Sequence, residues 1–195
     1  MGSQALTGGF ENASHASALA FRAALDALAR PGTIHRIEGG QAPAPLSRAA
    51  ATLILTLCDP ETPVFLAGDC DVAPVRDWVT FHTGAPLVGP SKAVFAIGTW
   101  AELNPIDRFA IGSAQYPDRS ATLIVETADL RASGACLTGP GIRDSAAFDL
   151  PDVAAFQRNA ALFPLGVDFF FTSGTRVAAL PRSTKITWPE PEEVR

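Results

Sequence analysis

Four short polar segments of this 195-residue chain carry residue types that could bind an anion or move a proton. They contain His82 near a helix end, Arg119 before an apolar run, Arg143 after a glycine-rich turn, and Arg182 followed by Ser183. Arginine presents a planar fork of donors that matches phosphate and carboxylate groups. A histidine at a helix C-terminus is favoured in its protonated form. These five residues are candidates for anion binding or for contacts between subunits.

Each candidate also has an ordinary structural explanation. His82 fits a helix C-cap, and Arg119 can pair with Asp118 within a turn. The glycines before Arg143 suit a tight turn as well as they suit a ligand. Arg182 can make a salt bridge to a partner subunit. The sequence leaves both interpretations open at each position.

The motifs that commonly mark catalysis are missing. There is no Gly-Lys-Ser/Thr phosphate loop, no His-Glu-x-x-His, no Cys-x-x-Cys and no Gly-x-Ser-x-Gly. The three histidines lie far apart, so we expect no metal site. The three cysteines predict buried free thiols and a cytoplasmic location rather than a disulfide framework. A pair such as Cys58 with His82 could still meet in the fold, but no catalytic residue is assigned.

Composition narrows the class of protein. Apolar residues make up 47% and charged residues 18%, which is typical of a folded domain with a large core. We expect one α/β domain over residues 1–195, with 189–195 as a frayed acidic end. The net charge of −5 and the two lysines argue against nucleic-acid binding. No apolar run of about 18 residues is present, so no membrane-spanning helix is expected.

Helix and strand patterns alternate along the chain, which favours an α/β layer structure. Longer helices are predicted over 14–29, 46–57, 72–82 and 149–163. The first is expected to be capped by Ser14 and to bury a stripe of Leu19, Ala23 and Ala27. Strands are predicted over 33–37, 64–67, 93–97, 120–127, 136–138, 167–172, 176–180 and 183–188. Short links between the last three strands predict that part of the sheet is antiparallel.

Seven segments, taken in order, carry a family resemblance. They read ARPG at 29–32, LCDPETPV at 57–64, FHTGA at 81–85, PDRSAT at 117–122, LTGPGI at 137–142, FPLGVD at 163–168 and LPRST at 180–184. On these segments, residues 6–188 resemble the PhnH family, a subunit of the bacterial carbon–phosphorus (C–P) lyase core complex of phosphonate metabolism. Cys58 stands where an apolar residue is expected, and a buried thiol can take that place.

The resemblance implies a three-layer α/β/α fold with a mixed, mostly parallel sheet. That fold is similar to the large domain of pyridoxal-phosphate-dependent transferases, but without that cofactor or any other. It also implies a homodimer that associates with PhnG, PhnI and PhnJ and acts together with PhnL. Together with PhnG, PhnI and PhnL, the family is required to move the ribose triphosphate of MgATP onto a phosphonate, the alpha-D-ribose 1-methylphosphonate 5-triphosphate synthase step. In that setting the chain is an accessory subunit without a catalytic residue of its own.

An alternative comes from the candidate residues themselves. If Arg119, Arg143, Arg182 and His82 met in the fold, the chain could bind phosphate or phosphonate independently, as a binding protein or an enzyme. All four are near predicted element ends, where α/β folds place ligand sites. Whether the chain is an enzyme on its own stays open at this point.

Overall fold

The computed structural model describes residues 6–188, so the predicted acidic end at 189–195 lies outside the described residues. The α-helices are α1 (Ala13–Ala29), α2 (Arg48–Leu57), α3 (Ala73–Thr83), α4 (Trp100–Leu103) and α5 (Val153–Ala160). The strands are β1 (His35–Arg36), β2 (Val64–Leu66), β3 (Phe95–Thr99), β4 (Thr122–Glu126), β5 (Ala135–Thr138), β6 (Ala146–Phe148), β7 (Asp168–Ser173), β8 (Arg176–Leu180) and β9 (Lys185–Thr187).

Six strands form the central sheet in the order β1-β8-β7-β4-β3-β2. Strands β2, β3, β4 and β7 run parallel, whereas β8 is antiparallel to β7 and β1 is antiparallel to β8. The first residues of the parallel strands, Val64, Phe95, Thr122 and Asp168, lie in register. We call this side of the sheet the amino edge and the opposite side the carboxyl edge. The mixed sheet confirms the expected α/β class.

Alternate residues of the central strands face two separate cores. Ile124 and Phe170 pack on one face beneath α1, α2 and α3. Leu123, Phe169 and Phe171 pack on the other face beneath α4, α5 and a small antiparallel sheet ordered β6-β5-β9. Burying each large apolar side chain stabilises the fold by roughly 1.5–3 kcal/mol. The chain thus has the expected outer layers, although a three-stranded sheet shares one of them with the helices.

Helix α1 differs in detail from its prediction. Its cap is Asn12 rather than Ser14, because the Asn12 side chain accepts a hydrogen bond from the His15 amide at 3.2 Å. The residues that α1 buries are Ala20, Ala24 and Ala27. Leu19 was expected in the buried stripe but is 55% exposed. Because α1 packs on the core through small alanines, Leu19 and Leu25 lie at the surface, whereas Leu28 packs partly against the core.

Three further elements in the C-terminal third differ from their predictions. Helix α5 begins after Asp152, whose carboxylate caps Ala155 at 3.0 Å, and it ends at Ala160 rather than 163. Residues 161–165 form tighter turns instead. Strand β6 was not predicted, because three residues are too few to show a period of two. Strand β9 pairs with β5 in the small sheet rather than continuing the central one.

Candidate functional site

The seven segments that carry the family resemblance meet along the amino edge. Residues 57–64 lead into β2, 117–122 into β4 and 163–168 into β7, while 180–184 follow the end of β8. Their order in the sequence gives no hint of this proximity, which comes from the parallel register of the strands. The amino edge is therefore where a family-specific surface would lie.

The three remaining segments contact this edge through closely packed glycines. Gly84 ends α3 at φ +70°, and a Cβ on it would lie 3.0 Å from the Pro60 ring. A Cβ on Gly139 would lie 3.2 Å from the carbonyl oxygen of Ser183. Gly141 abuts the end of α1, since a Cβ there would be 1.9 Å from the Ala29 carbonyl oxygen. Glycine at these positions permits loops from distant parts of the sequence to touch.

Arg182 is the best-connected side chain of this edge. Its backbone amide and its Nε donate to Asp168 Oδ1 at 2.8 and 3.1 Å. Nη1 donates to the Pro117 carbonyl at 2.8 Å, and Nη2 donates to Asp168 and to the Ser120 hydroxyl. The two side chains of the ion pair are only 13% and 24% exposed. Arg182 thus joins three loops and has its charge neutralised by Asp168.

Two other candidates lie in the same corner, and Arg143 lies in the neighbouring turn. Arg119 is exposed and stacks its guanidinium 4.1 Å from the centre of the Tyr116 ring. Ser183 is half-buried and lines a shallow cavity of about 360 Å³ together with Arg182 and Phe163. Arg143 is exposed in the turn that follows β5. The structure therefore brings Arg119, Arg182 and Ser183 to one corner of the amino edge.

His82 has a different partner. Its Nε2 donates to the Thr7 carbonyl oxygen at 3.2 Å, and the indole Nε1 of the neighbouring Trp78 donates to the same oxygen at 3.0 Å. The imidazole also packs edge-on against Phe81. The structure thus gives His82 a role in holding the N-terminal segment against α3.

The carboxyl edge carries a half-buried carboxyl group, Glu126, at the end of β4. It accepts hydrogen bonds from the Ser47 amide at 2.7 Å and from the Thr172 hydroxyl at 3.0 Å. Burial raises the pKa of Glu126, while these hydrogen bonds act in the opposite direction. Ser47 caps α2, so Glu126 ties a helix start to the sheet.

A second carboxylate of this edge, Glu102, is also bound internally. It accepts from the Asp69 amide at 2.7 Å, and from the Thr99 amide and hydroxyl at 2.9 Å each. Burial acts to raise the pKa of Glu102, but these three hydrogen bonds outweigh it, so that the pKa is lowered. Glu102 and Glu126 therefore serve the fold at the edge where parallel sheets usually bind ligands.

The cysteines offer no activated nucleophile. Burial raises the pKa of both Cys58 and Cys70 to about 12, with smaller contributions from neighbouring carboxylates. Thiols with such pKa values stay protonated at neutral pH and react slowly. All three cysteines are free, and the prediction of buried thiols is right for these two but wrong for Cys136, which is half-buried.

Large apolar side chains stand exposed along the amino edge. Phe21 and Leu25 of α1 are each about half exposed and line an apolar cavity of about 160 Å³ whose floor includes Thr122 and Phe170. Val94, Tyr116 and Phe163 are 41–61% exposed on the loops that lead into the strands or lie beside them. An exposed apolar patch with a polar rim is typical of a protein–protein contact. The sequence alone does not identify Phe21 and Leu25 as surface residues, because a helical pattern does not distinguish them from residues of the core.

Two kinds of feature are absent from residues 6–188. No helix in that range is long and apolar enough to cross a membrane. No group of three His, Cys, Asp or Glu residues there is placed to hold a metal ion.

Comparison with known proteins gives consistent results. The family model described as bacterial phosphonate metabolism protein (PhnH) matches residues 8–187. A protein of Rhizobium meliloti named alpha-D-ribose 1-methylphosphonate 5-triphosphate synthase subunit PhnH is 38% identical over 195 residues, covering 94% of this chain and 96% of that protein. The protein HtxG of Stutzerimonas stutzeri, whose name assigns it provisionally to the C–P lyase subunits, is 28% identical over 174 residues, covering 86% and 84%.

Proposed function

The chain belongs to the PhnH family of bacterial phosphonate metabolism proteins, and we propose that it is an accessory subunit of a multi-subunit phosphonate-processing enzyme. By its likeness to the Rhizobium meliloti protein, the assembly is alpha-D-ribose 1-methylphosphonate 5-triphosphate synthase of the C–P lyase pathway. This assembly moves the ribose triphosphate of MgATP onto a phosphonate and releases adenine. The chain contributes binding surface to it rather than a catalytic group.

The observation that carries this proposal is the contrast between the exposed apolar patch and the internally bound polar groups. Several apolar side chains stand exposed at the amino edge, and we call five of them the docking face: Phe21, Leu25, Val94, Tyr116 and Phe163. The carboxylates Glu102 and Glu126 and the cation Arg182 all have partners within the chain. Such an arrangement suits association with another protein better than turnover of a substrate.

We further propose the partners that the family resemblance implies. They are a second copy of this chain and the subunits PhnG, PhnI and PhnJ, with PhnL acting in the same reaction. The exposed guanidinium groups of Arg119 and Arg143 lie at the rim of the docking face or near it, where arginine is enriched in protein interfaces. A cytoplasmic location, one domain over 1–195, and a likeness to the large domain of pyridoxal-phosphate-dependent transferases remain predictions of the same kind.

Co-purification tests the subunit role. The full chain is expressed with candidate partner subunits, and the mass of the isolated complex is determined. We expect a stable complex that contains this chain, and its absence under conditions where the partners assemble with one another would contradict the proposal.

Calorimetric titration addresses the independent anion-binding alternative. The isolated chain is titrated with ATP and with alkyl phosphonates at millimolar concentration. Because Arg182 is neutralised by Asp168 and His82 bonds to Thr7, we expect no heat of binding. A saturable signal that disappears in Arg119→Met or Arg143→Met would favour the alternative.

A further inference from the structure

Two cavities at the amino edge belong to one continuous surface. The apolar cavity of about 160 Å³ is lined by Phe21 and Leu25 of α1, and the shallow cavity of about 360 Å³ is lined by Phe163 and Arg182. Asp168 lines both of them, so the two cavities adjoin. The docking face therefore extends across the amino edge from α1 to the loop before β7.

The apolar cavity has room for one large side chain. Its walls include Ala24, Leu28 and Phe95 besides Phe21 and Leu25, and all five are apolar. An apolar cavity of about 150 Å³ takes up a benzene-sized group, so a phenylalanine or leucine side chain fits a cavity of about 160 Å³. A side chain that fills a desolvated pocket in this way is the typical anchor of a protein–protein contact.

Free cations surround the docking face. Arg22 is on α1, Lys92 is on the loop that leads into β3, and Arg119 stacks on the ring of Tyr116. All three cations are exposed, and none of them has an ion-pair partner among residues 6–188. We call these three residues the cationic rim.

Few carboxylates offset the cationic rim. The docking face is carried by α1 and by residues 90–94, 116–119 and 161–165. On these segments Asp26 is paired with an arginine, and Asp118 is exposed without an ion-pair partner in the described range. Asp168, between the two cavities, is also paired with an arginine. Asp59 and Glu61 lie outside these segments, on the loop that packs against the end of α3. The docking face thus has an excess of positive charge in a chain whose net charge is −5.

We propose that the docking face binds a different chain, which presents one large apolar side chain ringed by carboxylates, and not a second copy of this chain. The apolar side chain fills the cavity beside α1, and the carboxylates pair with the cationic rim, since partner surfaces match in electrostatic potential as well as in shape. A second copy on the same face would bring cations to cations, with Asp118 alone to pair with them. The second copy proposed above therefore meets the chain at another surface. This inference rests on the proposed function and adds the chemistry of the partner.

Charge reversal tests the cationic rim on the full chain. We expect the triple variant Arg22→Glu, Lys92→Glu and Arg119→Glu to bind the co-purified partner subunits at least about 30-fold more weakly, with a smaller dependence of affinity on salt. Arg22→Glu alone should weaken binding about tenfold. Arg48→Glu is its matched control, because Arg48 is an exposed arginine on α2 at the carboxyl edge, and it should stay within about twofold of the native affinity.

The outcomes separate this inference from the proposed function. If the native chain and the triple variant bind the partner subunits with equal affinity, the inference is wrong and the proposed function stands. If the native chain forms no complex, the proposed function fails and the inference fails with it. Should charge reversal impair folding, glutamine at the same three positions is expected to cost about fivefold in affinity, and an unchanged affinity would again overturn the inference.

Sedimentation of the isolated chain tests whether a second copy occupies the docking face. We expect the native chain and Leu25→Asp to have the same mass in solution. A native dimer that Leu25→Asp converts into monomers would place the second copy on the docking face and would overturn the inference.

Discussion

The two edges of the central sheet hold polar and apolar groups in opposite ways. At the carboxyl edge, Glu102 and Glu126 accept hydrogen bonds from backbone amides and hydroxyls of the same chain. At the amino edge, the side chains of Phe21, Leu25 and Phe163 stand about half exposed or more. Parallel sheets usually place their ligand sites at the carboxyl edge. In this chain those two carboxylates are bound internally at that edge, and the exposed apolar side chains of the docking face lie on the opposite side.

An α/β sheet can use the polar groups at its carboxyl edge in two ways, to bind a substrate or to fix the fold. An enzyme of this class keeps polar groups at the carboxyl edge free for substrate, whereas here they fix the starts of α2 and α4. The segments that identify the family lie at the amino edge instead. Fold alone does not determine function, which is why the proposal rests on these residues rather than on the architecture.

The largest effect is expected from Arg182→Met. This change leaves the half-buried Asp168 without its cation and removes donors from Pro117 and Ser120. Breaking such a pair costs about 3 kcal/mol, or roughly 10 °C in Tm for a domain of this size. Chemical denaturation measures the loss. Arg119→Met is the control, since Arg119 is exposed, and it should change the free energy of unfolding by less than about 1 kcal/mol. Equal losses in both variants would contradict the assigned role of Arg182.

The docking face is tested by Leu25→Asp. A charge at the centre of an apolar contact should weaken association with the partner subunits by about 30-fold, or about 2 kcal/mol. Leu19→Asp introduces the same charge on α1 at a residue that does not line the apolar cavity. It should leave the affinity within about threefold, or roughly 0.6 kcal/mol. Affinities that fall equally in both variants would show that the docking face is misplaced.

Glu126 and Glu102 at the carboxyl edge should contribute to stability with opposite pH dependences. The pKa of Glu126 is raised from 4.5 in the folded chain, so the folded state binds a proton more tightly than the unfolded state does. The contribution of Glu126 to stability therefore declines as pH rises above 4.5. The pKa of Glu102 is lowered from 4.5, so its contribution is present above that value and is lost as pH falls. Denaturation of Glu126→Gln and Glu102→Gln between pH 4 and 8 measures both.

Relative to the native chain, Glu126→Gln should gain stability as pH rises, by on the order of 1 kcal/mol. Its amide oxygen can still accept from Ser47, and its amide nitrogen can donate to the Thr172 hydroxyl. Glu102→Gln should change in the opposite direction, with the native chain losing its advantage at low pH. Parallel pH profiles for the two variants would rule out the hydrogen-bonding scheme of this edge.

The smallest effect is expected from Asp26→Asn. Asp26 pairs with Arg30 one helical turn away at 2.7 Å, but the two side chains are 42% and 58% exposed. Exposed pairs of this kind stabilise a helix by about 0.3–0.5 kcal/mol. The comparison with Arg182 therefore separates an ion pair that joins loops from one that lies on the surface. A loss above about 1 kcal/mol on denaturation would refute this distinction.

Most of the sheet could be predicted from the sequence, whereas the small sheet could not. The apolar runs of β3, β4 and β7 are buried on both faces, which gives a clear signal. Strand β6 has three residues, and the pairing of β9 with β5 depends on a contact between Leu137 and Ile186 that the sequence does not encode locally. Short strands are defined by their tertiary partners rather than by their own pattern.

Residues of the candidate site could be predicted from the sequence, but their contacts could not. Sequence reasoning identified Arg182 and Ser183, yet it could not identify Asp168, 14 residues earlier, as the partner of Arg182. Leu19 was predicted in the buried stripe of α1, but the residues that α1 buries are alanines, and Leu19 is exposed. The pairing with Asp168 follows from the register of β7 and β8, and such register is set by the whole sheet.

A hydrogen-exchange footprint of the assembled complex tests most directly which edge of the sheet meets the partners. Exchange by mass spectrometry is compared between the free chain and the chain bound to its partner subunits. We predict added protection at the amino edge, in residues 21–28, 117–122 and 163–168, with the carboxyl-edge residues 99–103 and 126–131 unchanged. Protection confined to the carboxyl edge would contradict the claim that partners meet this chain at its amino edge.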